Sequence, residues 1–80
     1  MNTIFNGETT LNDTVYDYSG VWVRGGGKIA WRAVVRSTDV VCRPSGNFGD
    51  EVSDSDARAV VRELVKLSVE DALAQRAAAS

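Results

Sequence analysis

The sequence has no histidine. That absence removes the histidine general base, the Ser-His-Asp and Cys-His nucleophile arrangements and every histidine metal ligand. A single cysteine, Cys42, excludes an internal disulfide and a cysteine zinc site. No run approaches the ~18 apolar residues that a membrane-spanning helix needs, so no membrane partner is expected. There is no surplus of positive charge either. Nine basic and eleven acidic residues give a net charge of −2. A domain that holds nucleic acid by charge alone is expected to be basic overall. The opening residues MNTIFNGETT carry no basic stretch and no apolar stretch of the secretory kind. Together with the unpaired thiol, this predicts a cytoplasmic protein.

What is present is globular. The chain has 80 residues, 44% of them apolar and 25% charged, which predicts a single domain over residues 1–80. A domain of this size buries only about 60–65% of its unfolded surface, so its margin of stability is small. The charge is segregated along the chain. Glu8, Asp13 and Asp17 stand without a cation in residues 1–19. Arg24, Lys28, Arg32, Arg36 and Arg43 dominate residues 20–43, and residues 44–57 return four carboxylates against no cation.

Alternation and turn residues predict the elements. Residues 1–12 are weakly patterned, with a short strand at Thr3-Ile4-Phe5 and a turn at Asn6-Gly7. Residues 14–43 read as an antiparallel sheet. A strand rich in Val, Tyr and Trp runs to Arg24, Gly25-Gly26-Gly27 breaks it, and Lys28–Arg36 alternates again. A three-residue glycine loop sets Arg24 opposite Lys28. Val21, Val23, Ile29, Trp31, Ala33 and Val35 then share the core face. Tyr16, Tyr18, Trp22, Arg24, Lys28, Arg32 and Arg36 share the solvent face. Ser37-Thr38-Asp39 is expected to turn, Val40-Val41-Cys42 to form a third strand with a buried thiol, and Pro44–Gly49 to be a loop. A helix follows over 53–76, capped by Ser53 with Asp56 three residues on. Val52 is placed to staple onto Ala57. The apolar helix positions are Val60, Val61, Leu64, Val65, Leu67, Ala72 and Leu73. That stripe is wider than three strands need, so a fourth strand or a homodimer contact is expected to cover the rest. Arg58, Arg62, Lys66 and Glu70 form a polar stripe opposite, and the Ala-rich tail is expected to fray. The fold expected is α+β: an antiparallel sheet of three or four strands with one long C-terminal helix packed on one face.

Two constellations bear on function. Cations with interleaved aromatics, as at Tyr16, Tyr18, Trp22, Arg24, Lys28, Arg32 and Arg36, suit nucleic acid: the cations follow phosphates and the rings stack. The same composition also suits any solvated sheet face. Carboxylates at Asp50, Glu51, Asp54 and Asp56, joined by Asp13 and Asp17, can imitate a row of phosphates for a basic partner. Capping alone also accounts for Asp54 and Asp56. Asp50, Asp54 and Asp56 do not have the spacing of a calcium loop. Gly25–Gly27 beside Lys28 lacks the spacing of a phosphate loop. No cofactor, no metal and no catalysis are expected.

Two families are similar to parts of this pattern. Residues Gly20–Arg36, GVWVRGGGKIAWRAVVR, followed by Phe48 and a helix, resemble the sheet-plus-helix DNA-binding domains of the AP2 and integrase arm-binding type. The shared features are a glycine, an aromatic and an arginine in one strand, a Gly/Lys turn, then an aromatic and arginines in the next. The resemblance implies major-groove contacts by Trp22, Arg24, Lys28, Arg32 and Arg36. A small acidic domain without catalytic residues, with the carboxylates of Gly49–Asp56, is similar in type to phage and prophage anti-CRISPR proteins. That resemblance implies a stoichiometric inhibitor, working in the host cytoplasm, that docks on a nucleoprotein effector complex and stops target-DNA binding or nuclease recruitment. Inhibition through the acidic patch is the leading expectation and sequence-specific DNA binding the alternative. A self-assembling structural subunit is a third reading.

Overall fold

The computed structural model describes residues 2–36 and 41–79. Five strands and one helix follow in order: β1 (Asn2–Leu11), β2 (Thr14–Gly25), β3 (Lys28–Arg36), β4 (Val41–Cys42), β5 (Ser45–Gly49) and α1 (Asp54–Ala79). The sheet is antiparallel throughout. β1 pairs with β2 and β2 with β3, while β4 and β5 both pair with the far side of β3. The helix packs on one face. This is the α+β layout expected, with one more strand than the upper expectation. The expected turn at 37–39 and Val40 lie outside the described residues.

β1 is longer than expected and Asn6-Gly7 does not turn. β1 and β2 pair one-for-one from Asn2↔Val23 to Leu11↔Thr14. Gly7 is a packing glycine: a Cβ there would fall 2.7 Å from the Tyr18 hydroxyl. The reversal comes instead at Asn12 and Asp13, whose φ values of 52° and 65° are left-handed. Asn and Asp tolerate that region better than other side chains bearing a Cβ.

The glycine turn is also tighter than expected. Only Gly26 and Gly27 form it, with φ of 60° and 77°, and Gly25 pairs with Lys28. Two left-handed residues match the right-handed twist of the flanking strands, so the two-residue turn prevails over a three-residue loop. The consequence is a one-residue change of register. Trp22 lies opposite Trp31, Tyr18 opposite Val35 and Arg24 opposite Ile29. Because side chains alternate, every residue of β2 exchanges face relative to the expectation. Val21 and Val23 face out, and Tyr16, Tyr18 and Trp22 face in and are buried. The aromatic rings carry more apolar area than the valines, and burying them against Ile29, Trp31, Ala33 and Val35 is the larger gain.

Residues 45–49, expected as loop, form β5. Gly46 lies flat against Trp31, where a Cβ would sit 3.3 Å from the indole nitrogen, and Phe48 sits opposite Ile29 in the register. The Ala33 amide donates to the Pro44 carbonyl at 2.9 Å, which leads the chain into that pairing.

α1 starts as expected. The Ser53 hydroxyl accepts from the Asp56 amide at 3.1 Å, and Asp54 and Asp56 occupy the first turn. Val52 packs against the core cluster that contains Ala57. The buried seam is Ala57, Val61, Val65 and Val69, one small or β-branched residue every fourth position. Leu64, Ala72 and Leu73 flank it. Leu67, expected in the apolar stripe, is 57% exposed. The seam is narrower than the stripe read from the sequence because short side chains let α1 lie close over the large rings of the sheet. The helix continues to Ala79, past its expected end.

Candidate binding surfaces

The basic–aromatic face does not form as one surface. Tyr16, Tyr18 and Trp22 are buried on the helix side of the sheet, and the Trp22 ring has two close partners. It stacks on Phe5 at 5.2 Å between centroids, and the Arg58 guanidinium sits 5.5 Å from the ring centroid. Lys28, Arg32 and Arg36 remain on the outer face. Arg24 joins the aromatics on the inner side and has a structural task. Its guanidinium donates to the Asp50 carbonyl at 2.6 Å, to the Val52 carbonyl at 3.2 Å and to Asp54 Oδ1 at 3.2 Å.

The acidic set is likewise divided. Asp50, Glu51, Asp54 and Asp56 gather where the β2–β3 turn meets the start of α1, and the Asp50 amide donates to the Gly27 carbonyl at 3.2 Å. Asp13 is in the β1–β2 turn at the other end of a molecule 42 Å long. Asp17 is on the outer sheet face, in a cross-strand row with Glu8 and Arg36. Four of the six expected carboxylates are therefore brought together and two are not. Arg24 ties down the 50–54 segment that carries Asp50, Glu51 and Asp54, since three carbonyl or carboxylate oxygens of that segment converge on one planar fork. A lysine cannot reproduce that fork. Arg24→Lys is expected to lower stability by about 1–2 kcal/mol, the half-exposed ion pair contributing little of it. A urea titration checks the value, and amide exchange at 50–54 should speed up.

Sequence reasoning missed the apolar residues left open on the outer sheet face. On the outer face, rows run Asn2–Val23–Ala30–Asn47, Ile4–Val21–Arg32–Ser45 and Glu8–Asp17–Arg36–Val41 across the strands. No described element covers them. Ile4 is 78% exposed, Val41 66%, Val15 51% and Val23 43%. Shallow hollows of about 420 and 390 Å³ lie here, the first against Val21, Val23 and Arg32, the second against Val21, Arg32 and Arg43. The signal was in the sequence. β2 has two alternating apolar sets, and whichever is not buried must be presented to solvent.

Cys42 is half-buried beside Val35. Desolvation pushes its thiol pKa up, so the neutral form is retained through neutral pH. Iodoacetamide is expected to react with the folded chain more slowly than with the chain in urea. Equal rates would contradict the half-buried placement. The raised pKa adds stability below the ordinary thiol range that is lost as pH climbs through the folded value.

Among the described residues no cluster of Cys, Asp and Glu is arranged to hold a metal, and no helix is long and apolar enough to cross a membrane. No family model, curated protein or solved structure matches the chain.

Proposed function

We propose that this chain is a non-catalytic binding protein that acts by surface contact. In the fuller form of the proposal it is a stoichiometric inhibitor of the anti-CRISPR type, which docks on a host nucleic-acid-handling effector complex and blocks target-DNA binding or nuclease recruitment. The observation that carries the reading is the uncovered outer sheet face. A two-layer domain that buries its aromatics on one side and leaves Ile4 and Val23 exposed around the half-buried Val21 on the other presents an apolar patch of the kind that marks docking sites. The carboxylates at 50–56 suggest the sign of the partner. Gathered at one end of the molecule, with the 50–54 segment tied down by Arg24, they suit a basic surface built for nucleic acid.

The test uses a purified CRISPR effector complex and a target-DNA gel shift. The chain is expected to abolish the shift near a one-to-one ratio. Val21→Lys with Val23→Lys should lose the effect while the chain stays folded, because both side chains are on the solvent side. Asp50→Lys with Glu51→Lys should weaken it by about tenfold. A full shift in the presence of excess chain contradicts the inhibitor reading.

Direct DNA binding keeps some support from Lys28, Arg32 and Arg36, which share the outer face. It loses the stacking rings, which lie in the core. On this alternative Arg32→Glu removes a salt-sensitive duplex shift. The absence of any shift at low salt rules it out.

A further inference from the structure

β1 is an outer strand of the sheet. It pairs with β2 on one side only, over 10 residues and without a bulge. Along the opposite edge, a row of amides and carbonyls has no strand beside it among the described residues. Natural edge strands are usually protected by lysine, proline, a bulge or shortness. β1 has none of these, and its only charged residue is Glu8. Beside this edge is a cleft of about 320 Å³ lined by Phe5, Asn6, Tyr18 and, from α1, Ser55, Arg58 and Arg62. Its lining comes from β1, the neighbouring Tyr18 of β2 and the first turns of α1, which places it between the helix and the β1 side of the sheet. Among the described residues Arg62 makes no hydrogen bond or ion pair, and Arg58 has only the Trp22 ring as a partner.

We propose that this edge and cleft form a docking groove for an extended acidic segment of a partner protein, which adds to the sheet beside β1 and sets its carboxylates against Arg58 and Arg62. The backbone ladder would supply affinity, and the two guanidiniums the choice of sequence. The spacing agrees. Four residues along a helix advance about 6 Å. Two residues along a strand advance about 6.7 Å. Acidic residues at alternate positions of the added strand therefore match arginines one helical turn apart. Arg–carboxylate geometry favours this pairing. A second copy of this chain fits less well. Pairing β1 with β1 about a two-fold axis normal to the sheet puts both helices on one face, and four like-charged guanidiniums then converge on the seam. A nucleic acid supplies anions but no ladder partners for the edge. The groove is distinct from the outer sheet face, and its test needs no effector complex.

The experiment titrates the full chain with a fluorescein-labelled peptide of alternating Glu and Thr, as long as β1, and with its Lys-for-Glu counterpart. Fluorescence anisotropy is read at low salt, and 15N amide spectra locate the contact. The Glu peptide is expected to bind at least about tenfold more tightly than the Lys peptide. Amide shifts and slowed exchange should fall on residues 3–9. Arg62→Glu, at an exposed site where the fold is checked by circular dichroism, should weaken binding by about tenfold or more. Arg58→Lys, which keeps the charge over Trp22, should weaken it less. Several results overturn the proposal: equal affinity for the two peptides, no binding at about 1 mM peptide, or unchanged binding by Arg62→Glu. Amide shifts confined to β3 and β5, a β1-mediated dimer without peptide, and tighter binding of a short DNA strand in the same groove also count against it.

Discussion

Trp22→Ala is expected to remove much of the chain's stability and to move its urea midpoint far down. Trp22 is 1% exposed, stacked on Phe5 and opposite Trp31 across the β2–β3 ladder, with Arg58 over its ring. Truncating a fully buried Trp costs about 3–5 kcal/mol, the removed contacts and the cavity together. At roughly 0.05–0.15 kcal/mol per residue, an 80-residue domain has about 4–12 kcal/mol in all. The loss is most of the margin at the lower end of that range. Urea denaturation followed by far-ultraviolet circular dichroism reads it. The same variant separates two accounts of the residue. A surface Trp that stacks on bases is replaced at little cost in stability. A cost below about 1 kcal/mol would place the ring outside the core, as in the sheet face first expected from the sequence.

Gly20→Ala should be nearly as damaging, although it adds one methyl group. Gly20 sits between Phe5 and Ala33 in the register. A Cβ there would collide with the Arg32 carbonyl oxygen and lie 2.7 Å from the tip of the Phe5 ring and 2.8 Å from Ala33 Cα. Two of those three neighbours are backbone, so relief requires the β2–β3 ladder to shift. Overpacking of this kind costs about 1–3 kcal/mol, and the backbone contacts put the expectation at the upper end. The gain from replacing a strand glycine, about 0.5–1 kcal/mol, does not offset it. Gly25→Ala is the control. A Cβ at Gly25 meets nothing within 4 Å. That substitution is expected to be neutral or slightly stabilising by the same urea assay. Equal effects at the two sites would contradict the close approach at Gly20.

Composition, the helix cap and the hairpin made the α+β class legible in the sequence. Ser53 and Asp56 marked the helix start within one residue. β5 was not legible, because its Ser-Gly-Asn-Phe-Gly sequence has turn composition, and only the flat ring of Trp31 explains why glycine serves there as a strand residue. The register was the costly error. Three consecutive glycines allow a two- or a three-residue turn, and the choice decides which half of β2 meets the helix. The valine set and the aromatic set both alternate correctly, so periodicity alone does not decide between them. Packing volume does. The candidate surfaces inherited that error. Tyr16, Tyr18 and Trp22 moved inward, Arg24 became a tether for residues 50–54, and the valines became the open face. The gathering of Asp50, Glu51, Asp54 and Asp56 was legible because it is local in sequence. The separation of Asp13 and Asp17 from them depends on strand order and on the side to which each residue alternates.

The most direct measurement is the set of cross-strand nuclear Overhauser contacts between β2 and β3. The register described here is expected to give backbone contacts between Trp22 and Trp31 and between Tyr18 and Val35, with the Trp22 ring protons close to Phe5 and the methyls of Val21 and Val23 touching no proton of α1. Contacts pairing Val21 with Trp31 and Trp22 with Ala30 would restore the aromatic sheet face and remove the open valine surface on which the binding role is built.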